Sequence, residues 1–173
     1  TGNDGDYVYY ANHLGQGVGL LRKSEKVAEL RLKLRAEDFR SIYIVPGIKA
    51  DPILQKAETN LFDPRTRPWY QVAENASGHV WTPVHIDFNA QDLVMTRARK
   101  VLAPDGTVAG VVATDVFLNS LRVFVDQLPL AKGAIAFIME PNGDLIAATG
   151  LENIRYTAGA RPSRVNAGAS GDP

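Results

Sequence analysis

Apolar and polar positions divide this chain into short stretches, most with a period of two. Tyr7-Val8-Tyr9-Tyr10-Ala11 is aromatic and β-branched, the composition of a strand. From Val27 to Arg35 charged residues alternate with Leu30, Leu32 and Leu34, which places one face in a core and the other in water. A helix is the alternative there, but leucine at every second position favours a strand. Ser41-Ile42-Tyr43-Ile44-Val45 is a further strand, stopped by Pro46-Gly47. The glycines of Gly15-Gln16-Gly17-Val18-Gly19 read as a hairpin turn, because no βαβ unit and no phosphate-binding lysine with Ser/Thr accompanies them. Lys49 to Asn60 reads as a polar linker. His79 to Asp87 reads as an edge or irregular strand, with Trp81 in the core. Asp92–Val101 and Val108–Val116 flank the turn Pro104-Asp105-Gly106-Thr107 and form a hairpin. The second of these strands is almost wholly apolar, so it is expected to be central and buried on both faces, with its one charge, Asp115, at the end.

Leu118, Leu121, Val125 and Leu128 are spaced by threes and fours, which predicts an amphipathic helix. Ala134–Met139 and Leu145–Ala148, joined by Pro141-Asn142-Gly143-Asp144, predict a second hairpin. From Thr157 onward the chain is Ala, Gly, Ser, Arg and Pro with little to bury, the composition of a loosely ordered tail or the end of an incomplete second unit. The order of elements predicts an α+β protein, an antiparallel sheet with helices packed on it. Two hairpins with similar Pro-Asp/Asn-Gly turns point to a duplicated unit.

One segment stands apart from this pattern. Phe62-Asp63-Pro64-Arg65-Thr66-Arg67-Pro68-Trp69-Tyr70 packs two arginines, two prolines and three aromatics into nine residues. Asp63 suits a helix N-cap and Pro64 the first helical position, while Pro68 delays a regular helix to Tyr70–Glu74. Arg67, Trp69 and Tyr70 are thereby held in fixed relation. Such a segment can clamp a small anion between a planar guanidinium and aromatic walls, or it can cap a turn while Trp69 fills the core; residue types alone favour packing. Arg65 reads as a capping or surface arginine. Arg97 and Arg99 share one strand face, expected to be solvated.

Composition narrows the classes. The 173 residues suffice for one large domain or somewhat more, and 45% hydrophobic with 22% charged residues is ordinary for a globular protein. Nineteen basic residues balance nineteen acidic ones, which removes the electrostatic case for nucleic acid or an anionic membrane surface. The absence of cysteine excludes disulfides and thiolate metal sites. No run of about 18 apolar residues is present, and the start Thr1–Asp6 is polar and lacks Met, as expected of a fragment of a longer chain. His13, His79 and His85 lack metal-ligand spacing, and no Gly-x-Ser-x-Gly elbow occurs. Asp87 and Asp115 have no support as a glycosidase pair. No catalysis and no cofactor are expected in this fragment.

Asp63-Pro64-Arg65-Thr66-Arg67-Pro68-Trp69-Tyr70, then Trp81-Thr82-Pro83, then Gly110-Val111-Val112-Ala113-Thr114-Asp115, resembles the double Cache family of extracytoplasmic ligand sensors. Phe137 to Ala147 is similar to the first hairpin of that family's membrane-proximal module. The resemblance spans residues 7 to 150 or so. It implies a PAS-like antiparallel sheet, with residues 7–128 as the membrane-distal ligand-binding module and 129–173 as an incomplete part of the membrane-proximal one. It also implies a periplasmic or extracellular sensing portion of a receptor anchored in the cell membrane. The output domain of such a receptor can be a histidine kinase, a nucleotide or diguanylate cyclase, or a chemoreceptor domain. The family's long N-terminal helix, through which two copies often dimerise, is expected to be missing from this fragment.

In the family's amino-acid-binding branch, an Arg with neighbouring aromatics holds the ligand carboxylate and acidic residues hold its ammonium. Carried over, Arg67, Trp69 and Tyr70 take the carboxylate, and Asp115 and Asp87 face the ammonium. Two tyrosines of that branch are replaced by Phe62 and His85, so the resemblance implies a different ligand, such as an organic acid or a modified amine, with His85 as a pH-dependent donor. The alternative is a structural or protein-interaction module without a small-molecule ligand.

Overall fold

The computed structural model describes residues 7–47, 49–87 and 92–169; the polar start at 1–6 and the end of the expected tail at 170–173 lie outside the described residues. The chain divides into two compact units, one formed by the residues up to Pro83 with Thr96–Val116, the other by Val84–Met95 with the residues from Phe117 onward.

The first unit is an antiparallel sheet built in chain order from β1 (Tyr7–Asn12), β2 (Gly17–Arg22), β3 (Ala28–Lys33), β4 (Ser41–Val45) and β5 (Ile53–Ala57). β5 lies inside the stretch expected to be a linker. All five of its residues are exposed, as suits a short polar edge strand with no core pattern to betray it. A 3₁₀ turn at Pro64–Thr66 leads into helix α1 (Pro68–Glu74), then β6 (Val80–Trp81). Next come β7 (His85–Ile86), and the long hairpin of β8 (Leu93–Leu102) and β9 (Val108–Phe117). The strand order is β5-β4-β3-β2-β1-β9-β8-β6, so the first strand lies beside the ninth.

Register decides which side chains share a face. Tyr7 stands opposite Asp115 on one side and Leu21 on the other; Tyr9 opposite Ala113 and Gly19; Ala11 opposite Val111 and Gly17. On β3, Glu29 continues the first row, Arg31 the second and Lys33 the third. α1 lies on this face, where Trp69, Tyr70 and Ala73 are buried with Ala11, Ala98, Val111 and Ala113. Lys33, 2% exposed, spends its ammonium on the carbonyls of Ala36 and Asp38 and so pins the loop after β3.

The opposite face is open, which corrects two expectations. β9 is central in the order but not buried on both faces: Val111 and Ala113 are buried, while Val112 is 37% exposed. Trp81 is 50% exposed, because Val80 pairs with Ala98 on the core face and sends its neighbour, opposite Arg97, to the other side. Arg97 and Arg99 are exposed.

In the second unit β7 pairs with Leu93 and Val94. Helix α2 (Asn119–Asp126) matches the expected amphipathic helix; Leu118 at its N-cap and Leu121 within it pack in this unit's core with Val84, Leu93 and Ile154. β10 (Phe137–Met139) and β11 (Leu145–Ala148) form the expected second hairpin. Beyond it β12 (Ile154–Arg155) pairs with β13 (Ser163–Arg164). The stretch read as a loose tail is therefore partly tied down. The reason is polar: Arg164 pairs with Glu140 and donates to the carbonyls of Val84, Asp144 and Leu145, with 13% of its side chain exposed.

Candidate functional site

The Arg-Pro-Trp-Tyr segment is shaped by its two prolines. Asp63 caps the 3₁₀ turn, its Oδ1 accepting from the Arg65 amide at 3.0 Å, and Arg65 closes a salt bridge to it at 2.8 Å. That pairing holds the Asp63 carboxyl below the usual carboxylate range, the Arg65 hydrogen bond being the larger cause. Arg65 also donates to the His13 carbonyl, so it ties this turn to the loop after β1. Arg67 precedes Pro68 and is extended (φ −86°, ψ 143°), as a residue before proline must be, and its carbonyl starts α1 by accepting from Tyr70 and Gln71. Its side chain is thus left off the helix. It is exposed, stacks on the Phe62 ring at 4.7 Å, and forms no ion pair among the described residues.

Trp69 and Tyr70 turn the other way, into the sheet face. Trp69 meets Tyr9 edge to face at 4.8 Å and Tyr70 at 5.6 Å. Tyr70 is 1% exposed and its hydroxyl has no hydrogen-bond partner among the described residues.

Asp115 lies on the same face. The Tyr9 hydroxyl donates to its Oδ1 at 2.8 Å and the buried Thr96 hydroxyl donates to the same atom at 2.6 Å. Burial first, and then the Asp115 charge, push the Tyr9 hydroxyl far above its ordinary value, so it remains a donor. Tyr7 stacks beside Tyr9 at 4.6 Å, lies over Gly19, and carries the Arg31 guanidinium 5.1 Å above its ring. Burial likewise raises its hydroxyl. Arg40 stacks on Phe62 at 4.2 Å, so one ring carries two guanidinium groups. Two of the three arginines are matched, Arg31 to Glu29 and Arg40 to Glu58, each at 2.6 Å.

The first unit therefore presents an aromatic strip with a carboxylate at one end and arginines at the other. Of the residues singled out from sequence, Arg67, Trp69, Tyr70 and Asp115 fall in this unit. His85, exposed on β7, and Asp87, whose amide donates to Asp92, fall in the second. Tyr7, Tyr9, Arg31, Arg40 and Thr96 escaped the sequence reading. The alternation of Tyr7 and Tyr9 was a signal that they share a face, but nothing local says that Asp115 shares it. Among the described residues no group of His, Asp and Glu could hold a metal ion.

Comparison with known proteins places this architecture among sensory-domain folds. No family model matches. The methyl-accepting chemotaxis protein PscA of Pseudomonas syringae is 33% identical over 85 residues, 49% of this chain and 13% of that receptor. Adenylate cyclase 1 of Rhizobium meliloti is 31% identical over 87 residues, 50% of this chain and 13% of the cyclase. Among solved structures, the ligand-binding domain of the amino-acid chemoreceptor PctC of Pseudomonas aeruginosa, in complex with GABA, superposes with a TM-score of 0.50 at 20% identity, over 82% of this chain and 48% of that domain. The fold is that of chemoreceptor sensory domains, and the antiparallel sheet with packed helices is the PAS-like α+β arrangement that the resemblance implies. The matched segment is a small part of each curated relative.

Proposed function

We propose that this chain is the extracytoplasmic sensing portion of a transmembrane signal-transduction receptor, and that it binds a small ligand bearing an ammonium, a carboxylate or both. The observation that carries this reading is the Asp115 carboxylate, oriented by the Tyr9 and Thr96 hydroxyls beside Trp69, in the unit that also carries the Arg67 guanidinium, which stacks on Phe62 and forms no ion pair among the described residues. A carboxylate with its Oδ1 held by neutral donors can meet an ammonium, the rings add cation–π attraction, and a guanidinium on an aromatic ring offers a planar fork to a carboxylate. The GABA bound by PctC carries both groups. Binding would favour one arrangement of the domain, and the anchored parent would pass that bias to its output domain. Relatives include both chemotaxis receptors and a cyclase, so the type of output is set outside the matched segment. No helix among the described residues is long and apolar enough to cross a membrane. Dimerisation through an N-terminal helix and a location on the outer side of the cell membrane belong to the same proposal.

The test is a thermal-shift screen of this chain with amino acids, amines and organic acids, followed by calorimetry on the hits. Saturable stabilisation is expected, since a ligand that binds only the folded state raises its apparent stability. Asp115→Asn keeps an acceptor for Tyr9 and Thr96 but removes the charge, and should weaken amine-bearing hits at least roughly tenfold. Silence across all three classes would make a protein-interaction module the better account.

A further inference from the structure

We propose that the site selects an extended zwitterion, with ammonium and carboxylate separated by several methylene groups, over an α-amino acid. The inference rests on the sensor reading above and concerns the spacing of the two charges the ligand must carry.

The opposite poles of the strip are set on distant strands. Asp115 is on β9 and Arg31 on β3, with β1 and β2 between them. Three strand spacings of about 4.8 Å, with Arg31 two residues off the Asp115 row, put their Cα atoms about 16 Å apart. Arg40 stands one strand further, at the head of β4, and its guanidinium shares the Phe62 ring with that of Arg67. The positive pole is thus gathered over β3 and β4, the negative pole over β9.

The two tyrosines between the poles lean apart. Tyr9 reaches to Asp115, whereas Tyr7 crosses β2 toward Arg31. Tyr7 can do so only because position 19 is glycine: a Cβ there would lie 2.8 Å from its ring. Charge counting completes the picture. Glu29 and Glu58 answer Arg31 and Arg40, leaving Arg67 as the guanidinium of this cluster without an ion pair among the described residues. One carboxylate satisfies it. An α-amino acid carries both charges on a single carbon and reaches one pole at a time. A methylene chain laid along Tyr7 and Tyr9 reaches both and covers apolar ring surface on the way, which adds about fourfold in affinity per buried methylene.

Calorimetric titration of this chain with glycine, β-alanine, γ-aminobutyrate, δ-aminovalerate and ε-aminocaproate tests the inference, with n-butylamine as the ligand lacking a carboxylate. Affinity should climb along the series until the chain spans the strip. Arg67→Gln, at an exposed position that leaves the fold intact by circular dichroism, should weaken the longest members roughly tenfold and leave n-butylamine unchanged. Glycine or any other α-amino acid binding as tightly as the longest members overturns the inference while the sensor reading stands. So does an Arg67→Gln effect that is the same for n-butylamine. Failure of the whole series, the amine and the α-amino acids together overturns both.

Discussion

A missing side chain at Gly19 is as much part of the site as the side chains present. The Tyr7 ring occupies the space a Cβ would need, so Gly19→Ala must displace an aromatic that is packed against Tyr9 and Arg31. Overpacking of this kind costs about 1–3 kcal/mol. Urea unfolding should show that loss for Gly19→Ala and a much smaller one for Gly47→Ala, where an added Cβ meets nothing within 4 Å. The same variant should also weaken ligand binding, because the floor of the strip moves. At this scale the sequence was legible where chemistry is unusual. Arg67, Trp69 and Tyr70 stand out by composition, and Asp115 as the one charge in an apolar run. Tyr7, Tyr9 and Thr96 did not, because aromatic and β-branched residues are what any strand contains, and their role comes from a carboxylate 106 and 19 residues away.

Among the elements, the turn before α1 is the one whose local chemistry can be read almost completely. Asp63 as cap, Pro64 at the first position and the proline after Arg67 are all found in those roles, although α1 begins at Pro68 itself rather than after it. Asp63→Ala removes the cap and the Arg65 salt bridge together, and should cost about 1 kcal/mol in denaturant unfolding at neutral pH. The pH dependence has a definite sign. The folded-state pKa of Asp63 is lowered, so its contribution is fully present above the unfolded value of about 3.9 and is lost as pH falls through the folded value. The stability gap between the wild type and Asp63→Asn should therefore be constant from neutral pH down to about pH 5 and close below about pH 4. Elements with weak or misleading patterns were misjudged for physical reasons. β5 is an exposed edge strand with no buried face to mark it, and β9 looked two-sided because Val112 and Val116 are apolar even where they meet solvent.

Over the whole molecule, long-range pairing does what local pattern cannot. β1 lies between β2 and β9, so a strand at the start of the chain borders the second half of the long hairpin. At the other end, the Arg164 side chain holds β13 by its pairing with Glu140 and by three carbonyls. Arg164→Met keeps the length and removes the charge, leaving Glu140 unanswered. Hydrogen exchange at Val165 and Leu145, whose amides donate to Asn153 and Val165, should then accelerate at least tenfold, a loss of about 1.4 kcal/mol in local protection. Protection in β1 and β9 should hold, and equal acceleration there would show that Arg164 stabilises more than this latch. The sequence by itself determined the α+β class, most strands and turns, and the segment that displays Arg67, because period, proline and capping act over a few residues. The tertiary structure alone decided that β1 stands beside β9, and so that Tyr9 and Thr96 hold Asp115 on the face that Trp69 covers. Strand partners are chosen by burial and by closure of backbone hydrogen bonds across the chain, and that choice leaves no mark within any one strand.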